Sequence, residues 1–195
     1  MISLLIELQN GKEVNQSYVS LAAPLMQPQI WESSSNIYPI ITLLKSLIYG
    51  MPQRLGSQFF EDTCGIVRRL IATRSLESQA ISIINTISVV DREHLRSSGV
   101  VKEDLLKNLV QLILMKIRAK KTQRILESLA VTLSLIVLKE SVDLTNKMLE
   151  SIQPGLFHMV VEKLFAVGAE TVRVKSDLKL VAAGIVNIIQ YPSIQ

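Results

Sequence analysis

The chain of 195 residues is 48% hydrophobic but only 5% aromatic, and it contains one cysteine and two histidines. This composition excludes intrinsic disorder, collagen-like repeats and disulfide frameworks, and it argues against an all-β sandwich, which would need more Gly and Pro in its turns. The 21 basic and 17 acidic residues leave a net charge of +4, which is no nucleic-acid-scale excess and suits acidic protein surfaces about as well as phosphates.

Apolar residues recur along the chain at helical spacing, and no segment alternates with period two for long. Capping residues, Pro and Gly mark several of the helix ends. The pattern predicts helices, in chain order, at about residues 37–48, 61–71, 76–90, 105–117, 122–139, 142–152, 156–164 and 174–189.

The predicted helices form pairs. The second members of the pairs are centred near residues 43, 83, 131 and 182, and this spacing is close to the repeat length of HEAT and armadillo proteins. The helix at 122–139 is apolar nearly all round, so it must be covered on several sides. We therefore expect an all-α fold, a HEAT-repeat α-α superhelix, in which residues 1–195 form a single segment of about four helix pairs plus a partial N-terminal one.

Both ends of the predicted array are apolar, unlike the polar capping repeats of natural solenoids. We assign Ile2, Leu4, Leu5 and Leu8 to the second helix of an incomplete pair. Residues 185–189 are expected to expose apolar surface at the other end. The chain is therefore interpreted as a slice of a longer solenoid.

Residues that could carry chemistry are scarce. His94 and His158 lie far apart, and one cysteine cannot complete a zinc site with them. We expect His94 in a solvated turn and His158 in a surface pair with Glu162. The acidic pairs at 61–62 and 103–104 are assigned to helix starts, where negative charge is stabilising. No nucleotide-binding or nucleophile motif is present, so we expect no enzymatic activity, no metal and no cofactor.

The densest charge feature is a cluster of basic residues at the predicted turn between the helices at 105–117 and 122–139. It is either a solvated helix end that complements the helix dipole or a contact ridge for an acidic protein partner. Nucleic acid fits less well, because no aromatic side chain interleaves the basic ones. This cluster, called the basic ridge below, consists of Lys116, Arg118, Lys120, Lys121 and Arg124.

Two further features have a structural and a functional interpretation. Trp31, the single tryptophan, follows a proline turn and either packs between helix hairpins or forms a partner-binding hot spot. A smaller basic cluster, at Arg68, Arg69 and Arg74, is likewise either a solvated surface or a contact site.

No targeting or membrane-spanning segment is expected from the sequence. Residues 1–8 are apolar but lack the positive start and the cleavage site of a signal peptide. The longest apolar windows fall short of the roughly 18 residues that a membrane span needs. The lone Cys64 fits a reducing compartment.

Two proline-punctuated segments carry a resemblance to a known family. Residues 25–32 read LMQPQIWE, and residues 152–164 read IQPGLFHMVVEKL. In this combination the chain resembles the C-terminal third of the importin-α-exporting receptors of the importin-β superfamily. The other blocks that fit in order and spacing lie at 17–18, 35–37, 43–44, 70–72 and 76–87.

The resemblance implies a HEAT-repeat solenoid that wraps importin-α together with the GTP-bound form of the GTPase Ran (Ran-GTP) for export from the nucleus. It implies that GTP is held by Ran and that the protein shuttles between nucleus and cytoplasm. We expect the chain on its own to be a monomer. The alternative is a general HEAT scaffold outside nuclear transport, such as a phosphatase- or translation-linked adaptor.

Overall fold

The computed structural model describes residues 16–32, 34–90, 96–97, 99 and 104–191. Within these ranges all regular secondary structure is helical, which confirms the predicted all-α class. None of the described helices is long and apolar enough to cross a membrane. The chain divides into two compact units, Met1–Leu105 and Leu106–Gln195, and each is described by itself below.

In the described part of the first unit, α-helices alternate with short 3-10 turns. The α-helices are α1 (Gln16–Val19), α2 (Ala22–Leu25), α3 (Ser34–Gly50), α4 (Gly56–Ala72) and α5 (Glu77–Val90). The 3-10 turns are Pro28–Trp31, Pro52–Arg54 and Arg74–Leu76. Proline begins two of these turns, where its fixed φ suits the first helical position.

Helix α5 holds the first unit together, because it packs against both α3 and α4. Only Thr73 and the 3-10 turn Arg74–Leu76 separate α4 from α5, so these two helices form an antiparallel hairpin. Aliphatic side chains at helical spacing fill the core. The fully buried ones include Leu44, Leu47 and Ile48 of α3 and Ile83, Ile84 and Ile87 of α5.

The second unit contains the remaining helices and one π turn. They are α6 (Leu105–Ala119, which begins at the last residue of the first unit), α7 (Gln123–Lys139), α8 (Val142–Ile152), α9 (Leu156–Val160), the π turn (Val161–Phe165), α10 (Ala166–Thr171) and α11 (Lys175–Ile189). From Leu156 to Thr171 the helix is continuous, with the π turn widening it in the middle.

Helix α7 is the central helix of the second unit. It packs against α8, the π turn, α10 and α11. This environment confirms the prediction that a helix apolar nearly all round is covered on several sides. Its buried aliphatic side chains are Ile125, Leu126, Leu129, Ala130, Leu133, Ile136 and Val137.

Two glycines allow α10 and α11 to approach the backbone of α7. A β-carbon at Gly168 would collide with the carbonyl group of Leu126. A β-carbon at Gly184 would lie 2.5 Å from the hydroxyl oxygen of Ser134. Larger residues at these two positions would therefore push α10 or α11 away from α7.

The turn between α8 and α9 is fixed by the carboxylate of Glu150. Its Oε2 accepts a hydrogen bond from the Gly155 amide at 2.7 Å, and its Oε1 accepts one from the Phe157 amide at 3.0 Å. Gly155 has a φ of 76°, a left-handed conformation that glycine adopts without a steric penalty. Glu150 thereby satisfies two amides near the start of α9, where helical amides lack a partner within the helix.

The eight helices predicted between residues 37 and 189 are all present, but some of their ends differ. The helix assigned to Ile2, Leu4, Leu5 and Leu8 lies outside the described residues. The helix predicted at 156–164 continues through the π turn to Thr171. The assignment of Glu61 and Asp62 to a helix start is wrong, because α4 begins five residues earlier, at Gly56. Asp62 instead accepts a hydrogen bond from the Gln58 side chain at 2.9 Å.

Candidate protein-interaction surface

The basic ridge lies where α6 ends and α7 begins. Lys116 and Arg118 are in the last turn of α6, Lys120 and Lys121 are in the connection, and Arg124 is in the first turn of α7. Lys116 is half-exposed and the other four are exposed. The structure therefore brings all five predicted residues to one tight connection.

Backbone and side-chain hydrogen bonds hold this connection. The amide of Lys120 donates to the carbonyl of Lys116 at 2.9 Å and closes the end of α6. Thr122 is extended, and its hydroxyl accepts a hydrogen bond from the Ile125 amide at 3.4 Å, so it is the N-cap of α7. The basic side chains are therefore presented on a short connection of only three residues, 120–122.

The helix dipole explains only part of the ridge. Lys116 and Arg118 lie at the C-terminus of α6, where positive charge is favourable. Arg124 lies in the first turn of α7, where positive charge is unfavourable and no acidic residue compensates. Within the described residues, neither Arg124 nor the exposed lysines of the connection form an ion pair. Neither the helix dipole nor an ion pair therefore accounts for the positive charge at Lys120, Lys121 and Arg124.

Trp31 has a structural role. Its side chain is only 8% exposed, and its indole Nε1 donates to the Leu25 carbonyl at 2.8 Å. This bond ties the 3-10 turn Pro28–Trp31 to the end of α2. The packing interpretation is confirmed, and a buried indole with a satisfied donor is not available as a hot spot.

The candidate metal and acid–base residues form no site in the described part of the chain. His158 Nε2 lies 3.1 Å from Glu162 Oε1, and both side chains are more than half exposed, so the predicted surface pair is confirmed. No group of three His, Cys, Asp or Glu residues with metal-binding geometry occurs among the described residues. His94 and Glu103 lie outside the described residues, and Asp104 directly precedes α6.

The second unit has an apolar groove between the segment 161–170 and α11. Its volume is about 450 Å³, and Glu170 is the one charged residue among those that line it. Val186 and Ile189, beside and within this groove, are 54% and 61% exposed. The prediction that residues 185–189 expose apolar surface is therefore confirmed.

Two exposed tyrosines of α3 were missed by the reasoning from sequence. Tyr38 and Tyr49 are 58% and 55% exposed. They are 11 residues apart, which is three helical turns, so they lie on one face of α3. This spacing is visible in the sequence once the helix has been assigned.

Comparison with known proteins gives the family. The family model described as CAS/CSE protein, C-terminus, matches residues 1–192. The chain belongs to the CAS/CSE family. This membership confirms the resemblance to the importin-α-exporting receptors that the proline-punctuated segments indicated.

Several relatives match over nearly the whole chain. Exportin-2 of Xenopus laevis is 27% identical over 192 residues, which are 97% of this chain and 19% of that protein. Exportin-2 of Homo sapiens is 25% identical over the same length, with the same coverage. The importin alpha re-exporter of Saccharomyces cerevisiae is 27% identical over 186 residues, 93% of this chain and 18% of the yeast protein. These relatives of the CAS/CSE chain are nuclear transport receptors.

The fold agrees with a solved structure of the same family. The exportin Cse1 in its cargo-free, cytoplasmic state matches 99% of this chain with a TM-score of 0.83 and 25% sequence identity. The match covers 21% of that chain, so this CAS/CSE chain spans about a fifth of the length of its relatives. The predicted HEAT-repeat class is confirmed.

Proposed function

We propose that this chain is a segment of a nuclear export receptor that carries importin-α out of the nucleus together with Ran-GTP. The single observation that carries the proposal is the match to exportin-2 and to the importin alpha re-exporter along nearly the whole chain. In this proposal the protein shuttles between nucleus and cytoplasm. GTP is held by Ran, and this chain contributes protein-binding surface without a cofactor of its own.

We further propose that residues 1–195 are one segment of a longer solenoid, with about four helix pairs and a partial N-terminal one. Two contacts support this organisation. Helix α5 packs on α3 in the first unit, and α11 packs on α7 in the second. In each unit the second helices of successive pairs thus stack directly, as expected for HEAT repeats, in which each repeat contacts its neighbours.

A capture experiment tests the export proposal. The full-length protein that contains this segment is immobilised and offered importin-α with Ran loaded either with a non-hydrolysable GTP analogue or with GDP. We expect capture of importin-α to require the GTP form of Ran, and Ran capture to increase when importin-α is present, because coupled binding is reciprocal. Absence of binding in both nucleotide states would instead favour a scaffold outside nuclear transport.

The basic ridge is proposed as a contact for an acidic surface of a protein partner. The double variant Lys120→Glu/Lys121→Glu should weaken binding of that partner about tenfold and reduce its salt dependence, because it reverses two exposed charges. Isothermal titration of the full-length protein at two salt concentrations measures both effects. The melting temperature should not change.

A matched control separates a local contact from the general effect of charge. The variant Lys175→Glu/Lys179→Glu reverses two exposed lysines on α11 and changes the net charge by the same amount. Binding should stay near the wild-type value in this control. Equal losses in the two double variants would show that net charge, and not the basic ridge, determines the affinity.

A further inference from the structure

The outer face of α3 has an unusual composition for a solvated helix surface. Tyr38 and Tyr49 are each more than half exposed, about 16 Å apart along the helix axis. Thr42 and Lys45 lie between them on the same stripe, since positions separated by 4, 7 and 11 residues share one helix face. Tyrosine is enriched at protein interfaces, because its ring gives contact area at low entropic cost.

The stripe is bordered by buried residues on both sides. Ile41 and Ile48 on one side and Ser46 on the other are no more than 5% exposed. Helix α5, which packs on α3, carries a second stripe, which consists of half-exposed residues at helical spacing. The half-exposed residues of α5 on this stripe are Ser78, Ser82, Asn85, Thr86 and Val89.

The two stripes differ sharply in charge from the outer face of α4, which exposes Glu61, Arg68 and Arg69. Among the residues of the two stripes, Lys45 is the one with a charge. It forms no ion pair within the described part of the chain. Depletion of charge together with exposed tyrosine distinguishes the centres of protein interfaces from ordinary surface.

Three aliphatic hydroxyl groups on these stripes already have backbone acceptors inside their own helices. Thr42 donates to the Tyr38 carbonyl at 3.0 Å, Ser82 to the Gln79 carbonyl at 3.1 Å, and Thr86 to the Ser82 carbonyl at 2.8 Å. A partner that covers Thr42, Ser82 and Thr86 therefore leaves none of these three hydroxyl donors unsatisfied, which lowers the cost of removing them from water.

We propose that the stripe on α3, named the tyrosine face, docks an acidic amphipathic helix of a protein partner. A carboxylate of the partner pairs with Lys45, and apolar side chains on either side of it pack on the rings of Tyr38 and Tyr49. Lys45 is seven residues after Tyr38 and four residues before Tyr49. The partner helix should therefore carry one apolar residue four positions from its carboxylate in one direction along the chain and another seven positions away in the other direction. The tyrosine face goes beyond the export proposal, because it rests on residues of α3 alone and names a partner helix that the export proposal does not.

A protein partner fits this face better than a nucleic acid does. Single-stranded nucleic acid needs aromatic platforms inside a groove of several positive charges that follows the phosphate backbone. The tyrosine face offers one positive charge for a span of about 16 Å. An oligonucleotide is therefore a comparison probe in the test and not the expected ligand.

Peptide binding to the 195-residue chain tests the proposal. The probe is a fluorescent 15-residue helical peptide of Leu, Ala and Glu with the spacing given above, and its binding is followed by anisotropy. We expect Tyr38→Ala and Tyr49→Ala each to weaken binding about tenfold, as interface tyrosines do. Lys45→Gln should weaken binding two- to fivefold, by about the value of an exposed ion pair, and remove most of its salt dependence.

Three controls make the outcome decisive. Met115→Ala removes a side chain that is 66% exposed in the second unit and should leave binding unchanged. Thr42→Glu adds a carboxylate between the two tyrosine rings, and it should abolish binding because it repels the carboxylate of the peptide. This variant tests the proposal even where an alanine variant proves unstable. A peptide with Lys in place of Glu, and oligo(dT), should bind at least tenfold more weakly. Equal binding of either probe, or wild-type affinity of Tyr38→Ala and Thr42→Glu, would overturn the tyrosine face.

Discussion

At the scale of single residues, the spacing between helices of the second unit depends on glycine. Gly168 faces the carbonyl group of Leu126, and Gly184 faces Ser134, both on α7. At these positions a single methyl group has no space. Gly65, in the middle of α4, differs, because nothing lies within 4 Å of the position that its β-carbon would take.

This contrast gives a matched pair of variants. Gly168→Ala should lower the free energy of unfolding by about 1–3 kcal/mol, the usual cost of overpacking a close contact. Gly65→Ala should raise it by about 0.5–1 kcal/mol, because alanine loses less backbone entropy in a helix. Urea unfolding followed by circular dichroism measures both. A neutral or stabilising Gly168→Ala would mean that α10 does not approach α7 this closely.

Cys64 gives a second prediction at this scale. Burial raises the pKa of its thiol from 9.0 to about 11, although nearby Arg68 acts in the opposite direction. The native protein therefore holds about a hundredfold less thiolate at pH 8 than the unfolded chain, and its reaction with a disulfide reagent should slow accordingly. Equal rates for native and unfolded protein would contradict this, and Cys64→Ser supplies the blank.

The same shift has a consequence for stability. The folded state retains the proton of Cys64 at pH values where the unfolded state releases it. The contribution of Cys64 to stability is therefore complete below pH 9 and is lost as the pH rises towards about 11. In the Cys64→Ser variant, the free energy of unfolding should therefore decline less between pH 9 and pH 11 than it does in the wild-type protein.

At the scale of elements, the start of α9 depends on a residue in the preceding helix. Glu150 of α8 accepts hydrogen bonds from two amides beyond the turn, those of Gly155 and Phe157. The carboxylate is half-buried, and it acts as a cap supplied from outside α9. Pro154 and Gly155 set the backbone of the turn, but the carboxylate fixes it to α8.

Replacing this carboxylate should destabilise the second unit. Glu150→Ala is expected to cost about 1–2 kcal/mol, the typical value of a lost helix cap, and Glu150→Gln less, because one acceptor oxygen remains. Glu162→Ala removes only the exposed pair with His158 and should cost about 0.5 kcal/mol or less. Chemical denaturation of the three variants ranks them. Equal effects of Glu150→Ala and Glu162→Ala would rule out the cap.

Periodicity predicted the helices because most of them bury one continuous apolar face, as α3 and α5 do. It placed the start of α4 too late, although the buried Phe59 and Phe60 extend the apolar pattern of this helix towards Gly56. The π turn was also missed, because residues 161–165 have the composition of an ordinary α-helix. The basic ridge was predictable because it is contiguous in sequence. Glu150 and the tyrosine face depend on contacts and exposure that only the fold determines.

At the scale of the whole molecule, apolar surface remains open in the second unit. Val174 and Leu178 are 59% and 49% exposed, and Val186 and Ile189 are more than half exposed as well. All four lie along α11 or just before it, and Leu178 and Ile189 line the apolar groove. Contiguous apolar patches of this kind mark interaction surfaces, because isolated soluble domains rarely keep them open.

The chain on its own should therefore bind an apolar dye such as anilinonaphthalene sulfonate while eluting as a monomer on size exclusion. Leu178→Glu/Ile189→Glu should reduce the dye fluorescence by about half, because it places charge in the groove. Leu138→Glu, at an exposed leucine outside the groove, is the control and should leave the signal unchanged. A monomer that binds no dye would show that the groove is closed in solution.

The π turn at Val161–Phe165 has a consequence for comparing this chain with its relatives. A π turn holds one residue more than the corresponding α-helical turn, so it rotates everything beyond it by about 100° relative to an uninterrupted helix. A relative with one residue fewer here can form an uninterrupted α-helix and still present the same side of the second segment to its neighbour. Counting residues from Pro154 would then miss the equivalent of Gly168 by one position, and an alignment gap inside 161–165 would mark the absence of the π turn and not a lost loop.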